Sequence, residues 1–130
     1  MALLIRRRFS SKNTLTHESY LNAALVSLEL IKLRADYGGT IKARDLTRFF
    51  GVEDRLTHTV LGRLLSEMAK LGMAKLVSSS PRRYLLTEAG RQWVMYCDGS
   101  MRCVGESGIC GYFGRCPLRN LLERWWGEKA

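Results

Sequence analysis

All four cysteines of this chain fall in its last 34 residues, as Cys97, Cys103, Cys110 and Cys116 in the spacing Cys-x5-Cys-x6-Cys-x5-Cys-Pro. A segment that short lies below the ~40 residues at which a chain usually builds a core without a cross-link or a metal. Four explanations compete: buried thiols, two disulfides, a zinc site or an iron–sulfur cluster. Unrelated buried thiols would scatter among apolar residues, whereas these are interleaved with Gly99, Gly105, Gly108, Gly111 and Gly114. Disulfides suit secreted proteins and some intracellular proteins of hyperthermophiles, and no signal peptide is recognisable. A shared metal centre is the favoured explanation, because four thiolates around one centre supply the stabilisation that so small a core lacks.

Between metals, structural zinc usually takes at least one tight cysteine pair with two to four intervening residues, and no such pair occurs here. Longer glycine-rich loops can wrap a bulkier cubane and turn amide N–H groups toward its sulfides. The closing Cys116-Pro117 is similar to the end of a ferredoxin ligand run. A cluster is therefore preferred over zinc, as a structural centre that folds the tail, with zinc as the alternative.

The whole chain has 130 residues, 46% hydrophobic and 25% charged, with a formal net charge of +9. That composition suits one globular domain with a small appendage. The basic excess is uneven: residues 1–96 carry 16 basic and 8 acidic side chains, against 5 and 4 in residues 97–130. The expected division is a basic arm at 1–16, a basic domain at 17–96 and the cysteine module at 97–130. No stretch approaches the ~18 apolar residues of a membrane span. Arg6-Arg7-Arg8-Phe9 superficially resembles a twin-arginine export signal, but polar Ser10-Ser11-Lys12-Asn13 follows it;. The expectation is a cytoplasmic, non-membrane protein. Acid–base pairs, a Ser/His/Asp arrangement and a phosphate-cradling glycine loop are not recognisable, so no enzyme is expected.

Within 16–36, Leu21, Leu25, Leu28 and Ile31 recur at steps of three and four, with Ala24 and Ala35 alongside, predicting an amphipathic helix ended by Gly38-Gly39. A very short strand at 40–42 leads to a second helix over 43–50, stopped by Gly51. Asp54 caps a third helix whose Leu56, Val60, Leu61, Leu64, Leu65, Met68 and Leu71 form one stripe, closed by Gly72. Strands at 73–77 and 84–86 flank a polar turn, and Thr87 caps a fourth helix bearing Trp93 and Val94. A C-terminal helix with Leu118, Leu121, Leu122, Trp125 and Trp126 follows the cysteines. The expected fold is mainly α with a small β-hairpin: a winged helix-turn-helix followed by a four-cysteine iron–sulfur module.

The opposite face of the third helix then presents Arg55, His58, Thr59, Arg63, Ser66 and Lys70, the cationic and hydrogen-bonding set that a major-groove helix uses. The wing adds Arg82 and Arg83, and Arg6 to Arg8 could lie along phosphates. The bland alternative is a solvated basic face. No code for particular bases is visible, so DNA binding is expected to be weak and largely non-specific. His17 and His58 each stand alone and read as neither ligand nor catalyst. Leu121, Trp125 and Trp126 either cover the metal centre or anchor a partner, since Trp is enriched at binding hot spots.

A single winged helix running into four cysteines that close in Cys-Pro-Leu, with Trp a turn or two later, resembles the beta subunit of archaeal transcription factor E. That family is related to a subunit of eukaryotic RNA polymerase III. The resemblance spans about residues 17–126. It implies that Cys97, Cys103, Cys110 and Cys116 hold a [4Fe-4S] cluster. It also implies a heterodimer with an alpha subunit related to the large chain of transcription factor IIE. That heterodimer would act with RNA polymerase, TATA-binding protein and factor B on promoter DNA, favouring clamp opening and DNA melting. The alternative is a stand-alone winged-helix regulator, a homodimer that senses redox or metal through its cysteines. An iron–sulfur redox enzyme is the remotest of the three.

Overall fold

Two side-chain caps and a run of glycines divide the chain into short helices. The computed structural model describes residues 17–35, 38–97, 99 and 116–129. The Arg6–Arg8 arm, Cys103 and Cys110 lie outside the described residues, as do the side chains of His17 and Trp126. Helix α1 runs His17–Ala35, α2 Ala43–Phe49 and α3 Arg55–Lys70. Strands β1 (Ala74–Ser79) and β2 (Arg82–Leu86) form an antiparallel hairpin, followed by α4 (Glu88–Tyr96) and α5 (Pro117–Lys129). Among the described residues the protein is thus mainly helical, with one two-stranded sheet. No helix among them is long and apolar enough to cross a membrane.

The local starts and stops follow from individual side chains. Asp54 accepts the Leu56 amide at 3.3 Å and the Thr57 hydroxyl at 2.8 Å, satisfying donors that the first turn of α3 leaves unpaired;. Gly72, at φ +79°, ends α3 in the left-handed region, where a side chain would be strained;. The Thr87 hydroxyl accepts the Gly90 amide at 3.1 Å and donates to the Gly72 carbonyl at 2.8 Å, so one residue caps α4 and ties it to the end of α3. The strands run longer than expected, to Ser79 and from Arg82, leaving a tight turn at Ser80-Pro81. Ile41 joins the hairpin by exchanging backbone hydrogen bonds of 2.7 and 2.9 Å with Tyr84.

One core holds these pieces together. The stripe expected on α3 is buried at Val60, Leu61, Leu64, Leu65 and Met68, and it meets Trp93 and Val94 of α4 and Leu86 of β2. Helix α1 departs from its expected stripe. Leu28, Ile31 and Ala24 are buried, but Leu21 and Leu25 only partly, while Tyr20, Ala23, Ser27 and Leu30 are fully enclosed. The buried line is instead centred on Ala24, Ser27 and Ile31, the side on which α1 packs against α3, α4 and α5. Ser27 tolerates this because its hydroxyl donates to the Ala23 carbonyl at 2.8 Å;.

Helix α5 belongs to the same core. Leu118, Leu121, Leu122 and Trp125 are buried with the residues of α1 and α3. The Trp125 ring stacks on Tyr20 at 4.3 Å with an interplanar angle of 5°. Glu67, 3% exposed on α3, receives the Arg124 guanidinium, with Nη2 at 3.4 Å, and Lys70 at 3.6 Å. The division expected at residues 96 and 97 therefore does not separate two cores. Residues 97–130 are too few for a core of their own, and α5 borrows the one that α1 and α3 provide;.

Candidate nucleic-acid interface and the cysteine site

Helix α2 has only seven residues, of which Leu46 and Thr47 are buried, so the alternate positions face outward in two i, i+4 pairs;. Arg44 and Arg48 form the pair on the side of α3. With Arg55 and His58 from the first turns of α3 they line an open hollow of about 360 Å³. The lining also includes Glu53 and Asp54, but both oxygens of Asp54 are engaged in capping α3. Four basic side chains thus converge where two helices meet. Arg44 and Arg48 did not figure in the sequence reading, although their i, i+4 spacing beside buried Leu46 was the available signal.

His58 is the chemically distinctive member. Its Nδ1 is buried with no hydrogen-bond partner among the described residues. Burial, and secondarily the positive charge of Arg44, hold its pKa below the ordinary 6.5;. Since the folded state disfavours the imidazolium, the unfolded chain binds the proton more readily just below that value. The contribution of His58 to stability is present above pH 6.5 and is lost as pH falls through its lower folded-state pKa. A proton NMR titration is expected to show the His58 ring with a midpoint below 6.5; a midpoint at or above that value would refute the assigned environment.

The other candidates are dispersed. Arg63 remains exposed, but its guanidinium donates to the Tyr20 hydroxyl at 3.3 Å, beside the Tyr20–Trp125 stack. Lys70 pairs with Glu67. Along the face expected on α3, Arg55, Thr59, Arg63 and Lys70 are exposed, but α5 lies beside its C-terminal half, and the N-terminal turns share their open cationic surface with α2. Arg82 and Arg83 do not act as one pair, because successive strand residues point to opposite faces. Arg82 donates to the Tyr84 hydroxyl at 3.4 Å, whereas Arg83 lines a separate pocket with Arg34 and Lys42. Of the partner anchor expected on α5, two of the three side chains are described. Leu121 and Trp125 are buried in the core, so neither presents a surface to another protein.

Two of the four proposed metal ligands are described. Cys97 follows α4, donates its amide to the Trp93 carbonyl at 2.8 Å and is 6% exposed. Cys116 precedes α5, is 2% exposed, and its Sγ accepts the Arg119 amide at 3.4 Å. Both join the common core, from the two ends of the cysteine segment. That segment starts against α1, since a Cβ at Gly99 would lie 3.2 Å from the Leu25 Cδ2. Among the described residues no group of three or more His, Cys, Asp or Glu side chains could hold a metal ion. The chain matches no family model, and comparison with curated proteins and with solved structures finds no match.

Proposed function

We propose that this chain is a nucleic-acid-binding subunit of a basal transcription initiation factor, similar to the beta subunit of archaeal factor E. It would unite a winged helix with a cluster held by Cys97, Cys103, Cys110 and Cys116. The observation that carries this reading is the convergence of Arg44, Arg48, Arg55 and His58 at the junction of α2 and α3. In a helix-turn-helix the first turns of the second helix approach the groove while the first helix crosses the backbone. The order of elements, with Ile41 bridged to the hairpin, supports that assignment. Three guanidinium groups and a neutral imidazole at one junction suit phosphates, which position a protein without informing it of sequence;. The expected binding is accordingly weak, salt-sensitive and indifferent to sequence.

Two observations support Cys97 and Cys116 as ligands of a shared metal centre. Both are removed from bulk water, and a backbone amide is directed at one sulfur, as second-shell donors are toward ligating sulfur atoms. Held by Cys97, Cys103, Cys110 and Cys116, a cubane would supply a cross-link between the ends of the segment. The chain's own residues account for what that cross-link serves. Cys116 fixes where α5 begins, and α5 then delivers Leu118, Leu121, Leu122 and Trp125 to the core and Arg124 to Glu67.

Protein purified without oxygen is expected to be brown, with broad absorbance near ~400 nm and about four iron atoms per chain. A colourless preparation with zinc would replace the cluster by the alternative metal. Cys110→Ser is expected to lose the iron and, because α5 shares the core, to loosen the whole chain, read by iron analysis and near-ultraviolet circular dichroism. Co-purification with an alpha subunit and with RNA polymerase tests the assignment to an initiation factor; capture of neither would overturn it.

A further inference from the structure

An open pocket of about 550 Å³ lies on the other side of α2, between that helix, the Thr40–Lys42 segment and the hairpin. Its size falls in the range of small-ligand sites. Phe49 and Phe50 line it and meet edge to face, with ring centroids 4.9 Å apart and an interplanar angle of 88°. Phe49, although apolar, is 76% exposed. Three cations, Arg34, Lys42 and Arg83, line the same pocket against one carboxylate, Asp45. Arg34 is fixed in place, donating to the Gly38 carbonyl and, at 2.9 Å, to the Thr40 carbonyl.

An aromatic ring left in water beside three cations suits a ligand that has both a flat π-face and negative charge. Nucleotides combine the two, and aromatic platforms flanked by basic side chains are how single strands are held without regard to sequence. Base-paired DNA does not qualify, because its base faces are covered by the neighbouring pairs and only its edges and phosphates are reachable. We propose that this pocket takes an unpaired nucleotide of a single-stranded nucleic acid, its base against Phe49 and its phosphates toward Lys42 and Arg83. The inference deepens the nucleic-acid reading above and rests on it. The two sides of α2 then divide the work: Arg44 and Arg48 face duplex phosphates, while Phe49 faces the strand that has left the duplex.

The test compares fluorescence anisotropy of the full chain with an oligothymidine of about 15 nucleotides and with a duplex of matched length, at one ionic strength. Phe49→Ala is expected to weaken single-strand binding about tenfold, in the range that loss of one stacked base produces, while duplex affinity stays within about twofold. Phe49→Tyr should retain both. Its exposure makes position 49 tolerant of these changes, which circular dichroism will verify. Equal loss on both probes, loss on neither, or loss of a protein partner with both affinities unchanged would overturn the proposal. Duplex binding by the parent chain and its weakening in Arg44→Ala report separately on the reading of the preceding subsection.

Discussion

Gly90→Ala is expected to destabilise the protein by ~3 kcal/mol or more, the upper range for forcing atoms into a filled interior. A Cβ at this position would lie 1.8 Å from the Met73 carbonyl oxygen and 2.9 Å from its carbon, both backbone atoms that cannot rotate away. Relief requires α4 to move off the start of the hairpin. The Met73 carbonyl also accepts the Thr87 amide at 3.1 Å, and the Gly90 amide caps onto the Thr87 hydroxyl, so the same motion opens the start of α4. Thermal unfolding should fall by roughly 10 °C for a chain of this size. Gly62→Ala is the control: that glycine lies inside α3 with nothing within 4 Å of the added atom. It should gain up to ~1 kcal/mol from helix propensity. A Gly90→Ala protein as stable as its parent would contradict the packing of α4 on the hairpin.

Trp125→Ala is expected to cost ~3–5 kcal/mol, as truncation of a buried tryptophan does. The ring is 4% exposed and stacks on Tyr20, whose hydroxyl in turn accepts from Arg63. Removing it opens a cavity between α1, α3 and α5 and leaves Glu67 less firmly covered by Arg124. Denaturant unfolding, followed by far-ultraviolet and near-ultraviolet circular dichroism, should show one transition shifted as a whole. If the helical signal of residues 17–96 kept its parent midpoint while only the tail melted, the shared core would be refuted and the independent cysteine module restored.

Much of the fold was legible because the forces involved are local. Asp54 and Thr87 announced two helix starts, since a short polar side chain before an apolar run can satisfy the amides of the first turn. Gly72 announced a stop for a comparable reason. The stripe of α3 was legible because the line that packing buries coincides with its most apolar line. The stripe of α1 was not, because three helices press on it, and Tyr20, Ala23 and Ser27 are enclosed by partners that no periodicity in the 17–35 stretch reveals.

The candidate site divided along the same line. That basic side chains would gather near the start of α3 could be read from Arg55 and His58. That Arg44 and Arg48 join them depends on how α2 lies against α3. The two tryptophans near the end invited a choice between covering the metal centre and anchoring a partner, whereas Trp125 is buried against Tyr20 in the common core. Glu67 attracted no notice in the run Leu64-Leu65-Ser66-Glu67, because a carboxylate enters an interior only when cations arrive from elsewhere, here Lys70 one turn on and Arg124 from α5.

Caps, turns and the period of a one-sided helix reside in neighbouring residues, since hydrogen bonds to the first turn and side-chain contacts at i, i+4 act across a few positions. The residues themselves therefore settled where α2, α3 and α4 begin and end, and which line of α3 is apolar. Which surfaces stay open was settled by contacts between residues far apart along the chain. Packing of α5 onto α1 and α3 covered Trp125 and Glu67, and left the N-terminal turns of α3, with Arg44, Arg48 and Phe49 of α2, facing solvent. A side chain's own polarity does not say which distant helix will lie over it; the arrangement that buries the most apolar surface while pairing every buried charge does.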